Sequence, residues 1–418
     1  MPSRTITAPD VPTLRPASRR ALFVCVPAPG HVTPMLPLAR EFAGRGHEVA
    51  VASGPDVAPA VAAAGLGFRT VGPAFGEWYA ALAARTPGPP GAGLAPEQVE
   101  RYFVPRLFGE VGLAAMQADL DALVGTWRPD LIVFEPYAQA APLVAARHGV
   151  PAIQHLIGLR AEPLVLDLVR DAVTPAWSAA GLAAPAAGGD SSTTLSIYPP
   201  AVDPSPAGAA VRAVRTTPLP DRSVPLPVEL RQPDRPLVYV TLGTSFNEPA
   251  VFATILAALA ELPVTVLVTT GRDLPTEDLG PVPGNAVVTA FLPQEAVLPH
   301  CAAVVHHGGA GTALGILAHG LPSVVLPRGA DNFAVAARMA AAGAARAVGP
   351  DELTESAVGA AVRHVLDDPA ARAAAEGIAA EIADMPGPED VVPALVAQTA
   401  ARSHRTPPTA SHPERHLR

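Results

Sequence analysis

Short apolar runs alternate with longer amphipathic segments along most of the chain. Such runs predict strands that are buried on both faces, and the amphipathic segments predict helices. The predicted strands are 21–26, 48–52, 67–71, 131–134 and 152–154 in the first half, and 237–241, 264–268, 286–288, 302–305 and 323–326 in the second. Helical segments such as 35–45 and 138–147 lie between them. The alternation predicts an α/β fold with two parallel sheets, each covered by helices on both faces.

A stretch rich in proline and charge, residues 212–235, separates the two series of strands and predicts an interdomain linker. A chain of 418 residues also exceeds what one hydrophobic core usually organises. The predicted divisions are a disordered tail at 1–19, an N-terminal domain at 20–211, the linker, a C-terminal domain at 236–388, a last helix at 389–402 and a disordered tail at 403–418. Two open sheets joined in this way place a cleft at the carboxyl ends of their strands.

Composition and charge argue against several classes of protein, including membrane-spanning and nucleic-acid-binding ones. Apolar residues make up 49% of the chain but never form a run of the 18 or so needed to cross a bilayer. The first residues contain no apolar signal segment, so we expect a cytoplasmic protein. A net charge of −9 argues against a nucleic-acid partner. The chain has only two cysteines, Cys25 and Cys301, which is too few for a disulfide scaffold. We also expect no metal site at Cys301, because the sequence offers no second pair of ligands near it.

The predicted strand 302–305 runs into a glycine-rich turn that precedes an apolar helix at 313–318. The turn contains Gly308, Gly309, Ala310, Gly311 and Thr312. Small residues let a diphosphate approach the backbone, where free N–H groups and the positive end of the helix dipole meet its charge. The Thr312 hydroxyl can add a hydrogen bond. The alternative is a tight strand-to-helix connection without a ligand, because glycine motifs alone are weak signals.

The residues on either side of this turn carry a family resemblance. Phe291 and Pro293–Gln294 come before the turn, and Asp331–Asn332 come after the next predicted strand. This arrangement resembles the C-terminal signature of family 1 glycosyltransferases, which are GT-B enzymes with two Rossmann-like domains facing a central cleft. The members that the chain resembles include actinobacterial natural-product transferases. The resemblance covers about residues 20–400 and implies that the last helix crosses back to the N-terminal domain.

The resemblance also implies a donor site. In the family, an aromatic residue at the Phe291 position stacks on the base, while His307 and Gly309–Thr312 hold the diphosphate and Asp331–Asn332 read the sugar hydroxyls. Plant members have Gln where this chain has Asn332, and a ribose-binding Glu where it has Gly315. The other donor residues that the resemblance implies are Gly30, Thr244, Leu292, Gln294 and Ala310.

His31 is the candidate general base. It lies in a loop at the carboxyl end of the first predicted strand, and histidine suits proton removal from an acceptor hydroxyl near neutral pH. The segment that begins at Gly30, GHVTPMLPLAREFAGRGHEV, resembles the opening motif of the family, which carries the catalytic histidine. The alternative is a histidine that only caps the following helix.

Glu135 is the candidate partner of this base, since a carboxylate orients the ring and stabilises the imidazolium. It ends the predicted strand 131–134, where relatives have Asp. The extra methylene of Glu predicts an altered contact or a bridging water. The alternative is a carboxylate that interacts with a helix N-terminus.

Aromatic and apolar residues of the N-terminal half predict an acceptor pocket for a hydrophobic aglycone. They are Phe75, Trp78, Tyr102, Phe103, Phe108 and Ile157. An ordinary hydrophobic core is the alternative for each of them.

Together these features predict an inverting, metal-independent and cofactor-free transferase that moves a deoxysugar from a TDP- or UDP-sugar to a hydroxyl of a natural-product aglycone. Two alternatives stay open: a nucleotide-sugar epimerase or hydrolase with the same donor site, and a non-catalytic auxiliary protein of a transferase. The expected partners are the nucleotide sugar and the aglycone. The sequence leaves open a homodimer and an auxiliary activator.

Overall fold

The computed structural model describes residues 18–185, 193–204, 210–216, 230, 235–243, 247–271 and 273–403. Residues 1–17 and 404–418 of the predicted tails, and residues 217–229 and 231–234 of the predicted linker, lie outside the described residues. Ser18 and Arg19, which we assigned to the first tail, hydrogen-bond to the Gly46 carbonyl and to His47 Nδ1. Within the described part, no helix is long and apolar enough to cross a membrane.

The N-terminal domain contains a parallel sheet with the order β3-β2-β1-β4-β5-β6-β7 among the described residues. Its strands are β1 (Arg20–Val24), β2 (Glu48–Ser53), β3 (Gly67–Thr70), β4 (Leu131–Phe134), β5 (Ala152–His155), β6 (Thr194–Ser196) and β7 (Val211–Ala213). The register pairs Val24 with Ala52 on one side and with Phe134 on the other. Strand β7 extends regular structure into the range that we predicted as linker.

The C-terminal domain contains a second parallel sheet, with the order β10-β9-β8-β11-β12-β13 in the described part of the chain. Its strands are β8 (Leu237–Thr241), β9 (Thr265–Thr269), β10 (Ala286–Thr289), β11 (Ala303–His306), β12 (Ser323–Val325) and β13 (Ala345–Ala347). Strands β8 and β9 are buried along their whole length. This burial explains their continuous apolar runs, because helices cover both faces of the sheet.

The helices of the N-terminal domain begin and end as follows: α1 (Pro29–Val32), α2 (Leu36–Gly44), α3 (Ala58–Ala63), α4 (Phe75–Ala83), α5 (Pro96–Phe103), a π-helix at Val104–Gly112, α6 (Leu113–Trp127), α7 (Ala140–His148) and α8 (Pro163–Ala179). Those of the C-terminal domain are α9 (Pro249–Ala260), α10 (Gln294–Val297), α11 (Ala310–Ala318), α12 (Asn332–Ala341), α13 (Glu355–Asp367), α14 (Pro369–Asp384) and the last helix, α15 (Pro388–Ser403). Short 3₁₀ turns lie at Thr33–Met35, Pro55–Val57, Thr276–Leu279, Leu298–His300 and Pro350–Glu352.

Helix α15 packs against α2 of the N-terminal domain. Val392 and Leu395 are fully buried in the same apolar cluster as Phe42. The Arg45 guanidinium donates a hydrogen bond of 2.7 Å to the Glu389 carbonyl. This cluster also contains residues of both sheets, so one continuous core joins the two domains.

Each sheet has one point where the chain reverses its direction of winding. In the first sheet this point lies between β1 and β4, and in the second it lies between β8 and β11. The loops that follow such a strand pair diverge and leave a crevice at the carboxyl ends of the strands. The structure therefore confirms the prediction of two parallel α/β domains, and it places the crevices after Val24, Phe134, Thr241 and His306.

Candidate active site

His31 lies in the short helix α1, whereas we predicted a loop there, because Pro29 starts a helical turn soon after β1. Glu135 follows β4 directly. Both residues lie at the crevice of the first sheet, and they are in contact. The Nδ1 atom of His31 lies 3.2 Å from Oε1 of Glu135, and the His31 side chain is 18% exposed whereas that of Glu135 is completely buried. Although Glu is longer than the Asp of relatives, the contact is direct.

The Glu135 carboxylate is fixed by the backbone. Oε1 accepts a hydrogen bond from the Val26 N–H at 2.9 Å, and Oε2 accepts one from the Tyr137 N–H at 2.8 Å. Each oxygen therefore has a donor, which lowers the cost of burying the charge. The negative charge of Glu135 adds to burial in raising the pKa of the neighbouring Cys25 thiol.

Aromatic rings surround His31 on its cleft side. The ring centroids of Tyr137 and Phe108 lie 5.5 and 5.9 Å from that of His31. Phe75 continues this wall, with its ring 6.3 Å from that of Phe108. Burial, followed by the charges of Glu100, Asp331 and Glu135, raises the pKa of Tyr137 well above its usual value.

The other predicted acceptor residues divide into two groups. Tyr102 and Phe103 are half-buried and pack edge to face at 5.1 Å. Trp78 and Ile157, in contrast, are 1% and 8% exposed and belong to hydrophobic cores. An ideal Cβ at Gly112 would collide with the Trp78 ring, so the indole fills space inside the domain. We therefore leave Trp78 and Ile157 out of the acceptor wall.

His307 follows β11 at the crevice of the second sheet, where two glycines frame its ring. An ideal Cβ on Gly309 would lie 2.5 Å from Nε2, and one on Gly243 would lie 2.6 Å from Cε1. Gly243 also has a φ of +76°, which glycine adopts without strain. Only glycine at both positions leaves room for this ring orientation.

Burial lowers the pKa of His307 to about 4, and a hydrogen bond to the Thr241 carbonyl offsets part of this effect. His307 is therefore neutral near pH 7 in this structure. The preceding His306 is completely buried, accepts a hydrogen bond from the Gly308 N–H through Nδ1, and lies 3.3 Å from the Ser323 hydroxyl. His306 is therefore part of the core of the C-terminal domain.

Helix α11 starts beside the His307 ring. Its first residue follows Gly309, and no side chain caps its N-terminus. The first amides of a helix have no partner within the helix, so they are available to an anion. Gly311 is exposed, and an ideal Cβ there would meet no protein atom within 4 Å. The Thr312 hydroxyl accepts a hydrogen bond of 3.3 Å from the Gln294 side chain, which brings two more predicted donor residues together.

Phe291 lies at the rim of this crevice and is 52% exposed. Leu292 is partly buried against the main core and supports the segment. The exposed ring leaves a face open to a planar base, and the family resemblance assigns a stacking role to this position. Gly30 is exposed and lies in α1, next to His31. Thr244 lies outside the described residues.

Asp331 and Asn332 lie at the start of α12, after Ala330, whose φ is +51°. Asn332 is 2% exposed, and its Oδ1 accepts a hydrogen bond from the Gly329 N–H at 3.4 Å. Burial raises the pKa of Asp331, while its own backbone N–H and then the charge of His31 oppose the increase. Asp331 faces the N-terminal domain, because an ideal Cβ on Gly158 of that domain would lie 3.5 Å from its Oδ2.

Several residues of the cleft were not found from the sequence. Gly158, in the loop after β5, approaches the opposite domain so closely that an ideal Cβ would lie 3.5 Å from Oδ2 of Asp331. Tyr198 donates a hydrogen bond across the cleft, and Glu100 is an acid near Asp331. A sequence signal existed for Tyr137, which follows Glu135 at the carboxyl end of a strand. In the described part of the chain, no three His, Cys, Asp or Glu residues are grouped to hold a metal ion.

Comparison with known proteins identifies the family. The N-terminal domain of erythromycin biosynthesis protein CIII-like proteins matches residues 101–243, and their C-terminal domain matches residues 253–398. The chain belongs to this family. The L-demethylnoviosyl transferase of Streptomyces niveus is 31% identical to this chain over 388 residues, and the match covers 91% of this chain and 98% of that protein.

Further relatives agree. Elloramycin glycosyltransferase ElmGT of Streptomyces olivaceus is 34% identical over 403 residues, covering 90% of this chain and 96% of its own. The structure of Streptomyces sp. SF2575 glycosyltransferase SsfS6, complexed with thymidine diphosphate, has a TM-score of 0.72 at 28% identity, covering 91% of this chain and 99% of that chain. The chain is therefore a nucleotide-sugar-dependent glycosyltransferase of GT-B fold, which confirms the resemblance in its motifs. The comparisons do not favour the epimerase, hydrolase or auxiliary-protein alternatives.

Proposed function

We propose that this enzyme is an inverting, metal-independent glycosyltransferase that moves a deoxysugar from a thymidine diphosphate sugar to a hydroxyl group of a hydrophobic natural-product aglycone. The observation that carries this proposal is the contact between His31 and the buried, doubly hydrogen-bonded Glu135, at the side of the cleft opposite the start of α11. The thymidine diphosphate bound to the SsfS6 relative supports the choice of nucleotide.

The proposed reaction uses the His31–Glu135 pair on one side of the cleft and the start of α11 on the other. Because Nδ1 of His31 lies 3.2 Å from the Glu135 carboxylate, we assign the ring proton to Nδ1 and the role of basic atom to Nε2. Nε2 removes the acceptor proton as the acceptor oxygen attacks the anomeric carbon of the sugar. The bond from that carbon to the diphosphate oxygen breaks on the opposite face, so the configuration inverts.

The leaving diphosphate takes the bonding electron pair and must be stabilised. The amides at the start of α11 and the Thr312 hydroxyl supply hydrogen bonds to it, and the helix dipole supplies a favourable field. The Asp331 carboxylate accepts hydrogen bonds from sugar hydroxyls, and the Asn332 amide can accept or donate them. The half-buried rings of Phe75, Phe108 and Tyr137 form the apolar wall for the aglycone.

A thermal-shift series tests the donor assignment first. A ligand that binds only the folded state stabilises it by about 2.7 kcal/mol at 100 times its Kd. We expect thymidine diphosphate to raise the melting temperature more than adenosine diphosphate does. Equal shifts, or none, would contradict the assignment.

His31→Ala then tests the reaction. The variant is expected to lose roughly 10²- to 10⁴-fold in turnover, the usual contribution of a general base. Thymidine diphosphate affinity is expected to stay within about twofold of wild type, since His31 lies on the opposite domain from the helix that holds the diphosphate. Wild-type turnover in His31→Ala would remove the base from the mechanism.

A further inference from the structure

The loop at 197–204, which follows β6 and is called the β6 loop here, reaches from the N-terminal domain to the donor helix. Its Tyr198 is 1% exposed. The Tyr198 hydroxyl donates a hydrogen bond of 2.7 Å to the carbonyl of Ala310, the first residue of α11. A carbonyl oxygen has two lone pairs, so it can accept this bond in addition to the one within the helix. The bond ties the start of the donor helix to the opposite domain.

The β6 loop is itself held firmly in the N-terminal domain. The Ser196 hydroxyl donates to the Tyr198 carbonyl at 3.1 Å. Asp203, which is 3% exposed, accepts a hydrogen bond of 3.2 Å from the backbone N–H of Arg160 in the loop after β5. Tyr198 therefore lies between anchored residues, and a displacement of α11 cannot easily be absorbed by the loop.

Two further contacts join loops of the N-terminal domain to the C-terminal domain. An ideal Cβ on Gly158, two residues before Arg160, would lie 3.3 Å from Cβ of Ala310 and 3.5 Å from Oδ2 of Asp331. The Ala201 N–H donates to Oε1 of Glu381 on α14 at 3.4 Å. Helix α14 packs against α11. The loops after β5 and β6 thus contact both the helix proposed to hold the diphosphate and the carboxylate proposed to read the sugar.

We propose that Tyr198 is a positioning residue for glycosyl transfer, because its hydrogen bond to Ala310 sets the distance between the sugar on the C-terminal domain and His31 on the N-terminal domain. The inference rests on the proposed function. Tyr198 acts through the placement of α11 and does not touch the reacting atoms. Its importance follows from the sensitivity of transfer reactions to geometry, since a misplacement of about 1 Å can cost about 100-fold in rate.

Interdomain distance is the direct readout. Spin labels on Ala63→Cys in α3 and Ala360→Cys in α13, both exposed positions, report it by double electron–electron resonance. Cys301→Ser removes the half-buried native thiol, and the buried Cys25 stays in place. Tyr198→Phe keeps the ring and removes only the hydroxyl. We expect this variant to shift or broaden the distance distribution by at least about 1 Å, the scale at which transfer geometry is lost.

Asn285→Ala is the matched control. The Asn285 amide donates to the carbonyls of Leu259 and Val264 at the amino edge of the second sheet, away from the cleft. This variant also loses side-chain hydrogen bonds, but we expect it to keep the wild-type distance distribution. An equal broadening in both variants would assign the effect of Tyr198→Phe to general loosening and overturn the positioning role.

Calorimetric titration with thymidine diphosphate separates this proposal from the proposed function. If the wild-type chain does not bind the nucleotide, the proposed function fails. If wild type and Tyr198→Phe bind within about twofold of each other and the distances in the variant are unchanged, only the positioning role fails. Should Tyr198→Phe not fold, Gly158→Val takes its place. The added carbons of valine would enter the contact between Gly158 and Ala310. We expect them to lengthen the mean distance between the two spin labels, and an unchanged mean would overturn the role of this contact.

Discussion

Gly311→Ala separates what the fold needs from what a diphosphate needs. Gly311 is the second residue of α11, it is exposed, and its backbone is not in the left-handed region. An ideal Cβ there would meet no protein atom within 4 Å. Nothing in the protein therefore requires glycine at this position. A phosphate resting on the first amides of the helix would require it, because a methyl group would lie between the phosphate and the backbone.

Opposite effects on stability and binding are expected. Alanine is favoured over glycine inside a helix by about 0.5–1 kcal/mol. For a domain of this size, the melting temperature should rise by ~1–4 °C. If the methyl group displaces one charge-assisted hydrogen bond, the loss is about 1.5–3 kcal/mol. At about 1.4 kcal/mol for each tenfold change, the Kd for thymidine diphosphate should increase about 10- to 100-fold.

Gly377→Ala is the control for this experiment. Gly377 lies inside α14, is exposed, and has no protein atom within 4 Å of an ideal Cβ. It should gain the same stability and keep the wild-type Kd. Differential scanning calorimetry and titration calorimetry measure the two quantities. Wild-type nucleotide affinity in Gly311→Ala would refute the placement of the diphosphate on α11.

Three further predictions concern the base platform and two titrating groups. Phe291→Ala should weaken thymidine diphosphate binding by about 1–3 kcal/mol through lost stacking. The fold should lose little stability, because the ring is 52% exposed. Unchanged affinity in titration calorimetry would place the base elsewhere. Burial, followed by the charges of Asp331 and Glu162, raises the pKa of Glu100, so the ionised side chain destabilises the fold above that pKa. Glu100→Gln should therefore raise the melting temperature at pH 8 and have a smaller effect near pH 4. An equal effect at both pH values would contradict the shift. Without a nucleotide, His307 has a pKa of about 4, and a diphosphate beside it raises that pKa. Affinity for a thymidine diphosphate sugar should therefore increase as the pH falls towards 4; a slope that survives in His307→Gln would assign the proton to another group.

The sequence predicted strands well where the physical signal is strong. Strands β1, β4, β8 and β11 are central, and burial on both faces demands the continuous apolar runs that the sequence shows. The strands that were not predicted are β6, β7 and β13, with three residues each. Length alone does not explain this, because β12 also has three residues and was predicted from its fully buried apolar segment. The sequences of β6, β7 and β13 are TLS, VRA and ARA, and none of them contains a continuous apolar run. Strand β13, with the sequence ARA, is also largely exposed at the sheet edge.

The candidate site divides along similar lines. Glu135 directly follows a predicted strand, and His31 and His307 come within a few residues of the ends of two others. The rule that ligands bind at the carboxyl ends of strands was enough to place all three at the cleft. Trp78 shows the limit of composition, since an aromatic residue in a helix of the N-terminal domain has the same signal whether it faces the core or the cleft. Tyr198 follows β6, which has no continuous apolar run, and its partner is a backbone carbonyl that no side-chain pattern marks.

A crystal structure of the enzyme with thymidine diphosphate tests the central claim most directly. The account predicts the diphosphate at the N-terminus of α11, within hydrogen-bonding distance of the amides at 310–312 and the Thr312 hydroxyl, with thymine against Phe291. It also predicts that the His31 ring faces the outer phosphate, where the sugar is attached. A nucleotide bound away from α11, or a His31 ring directed away from that phosphate, would contradict it.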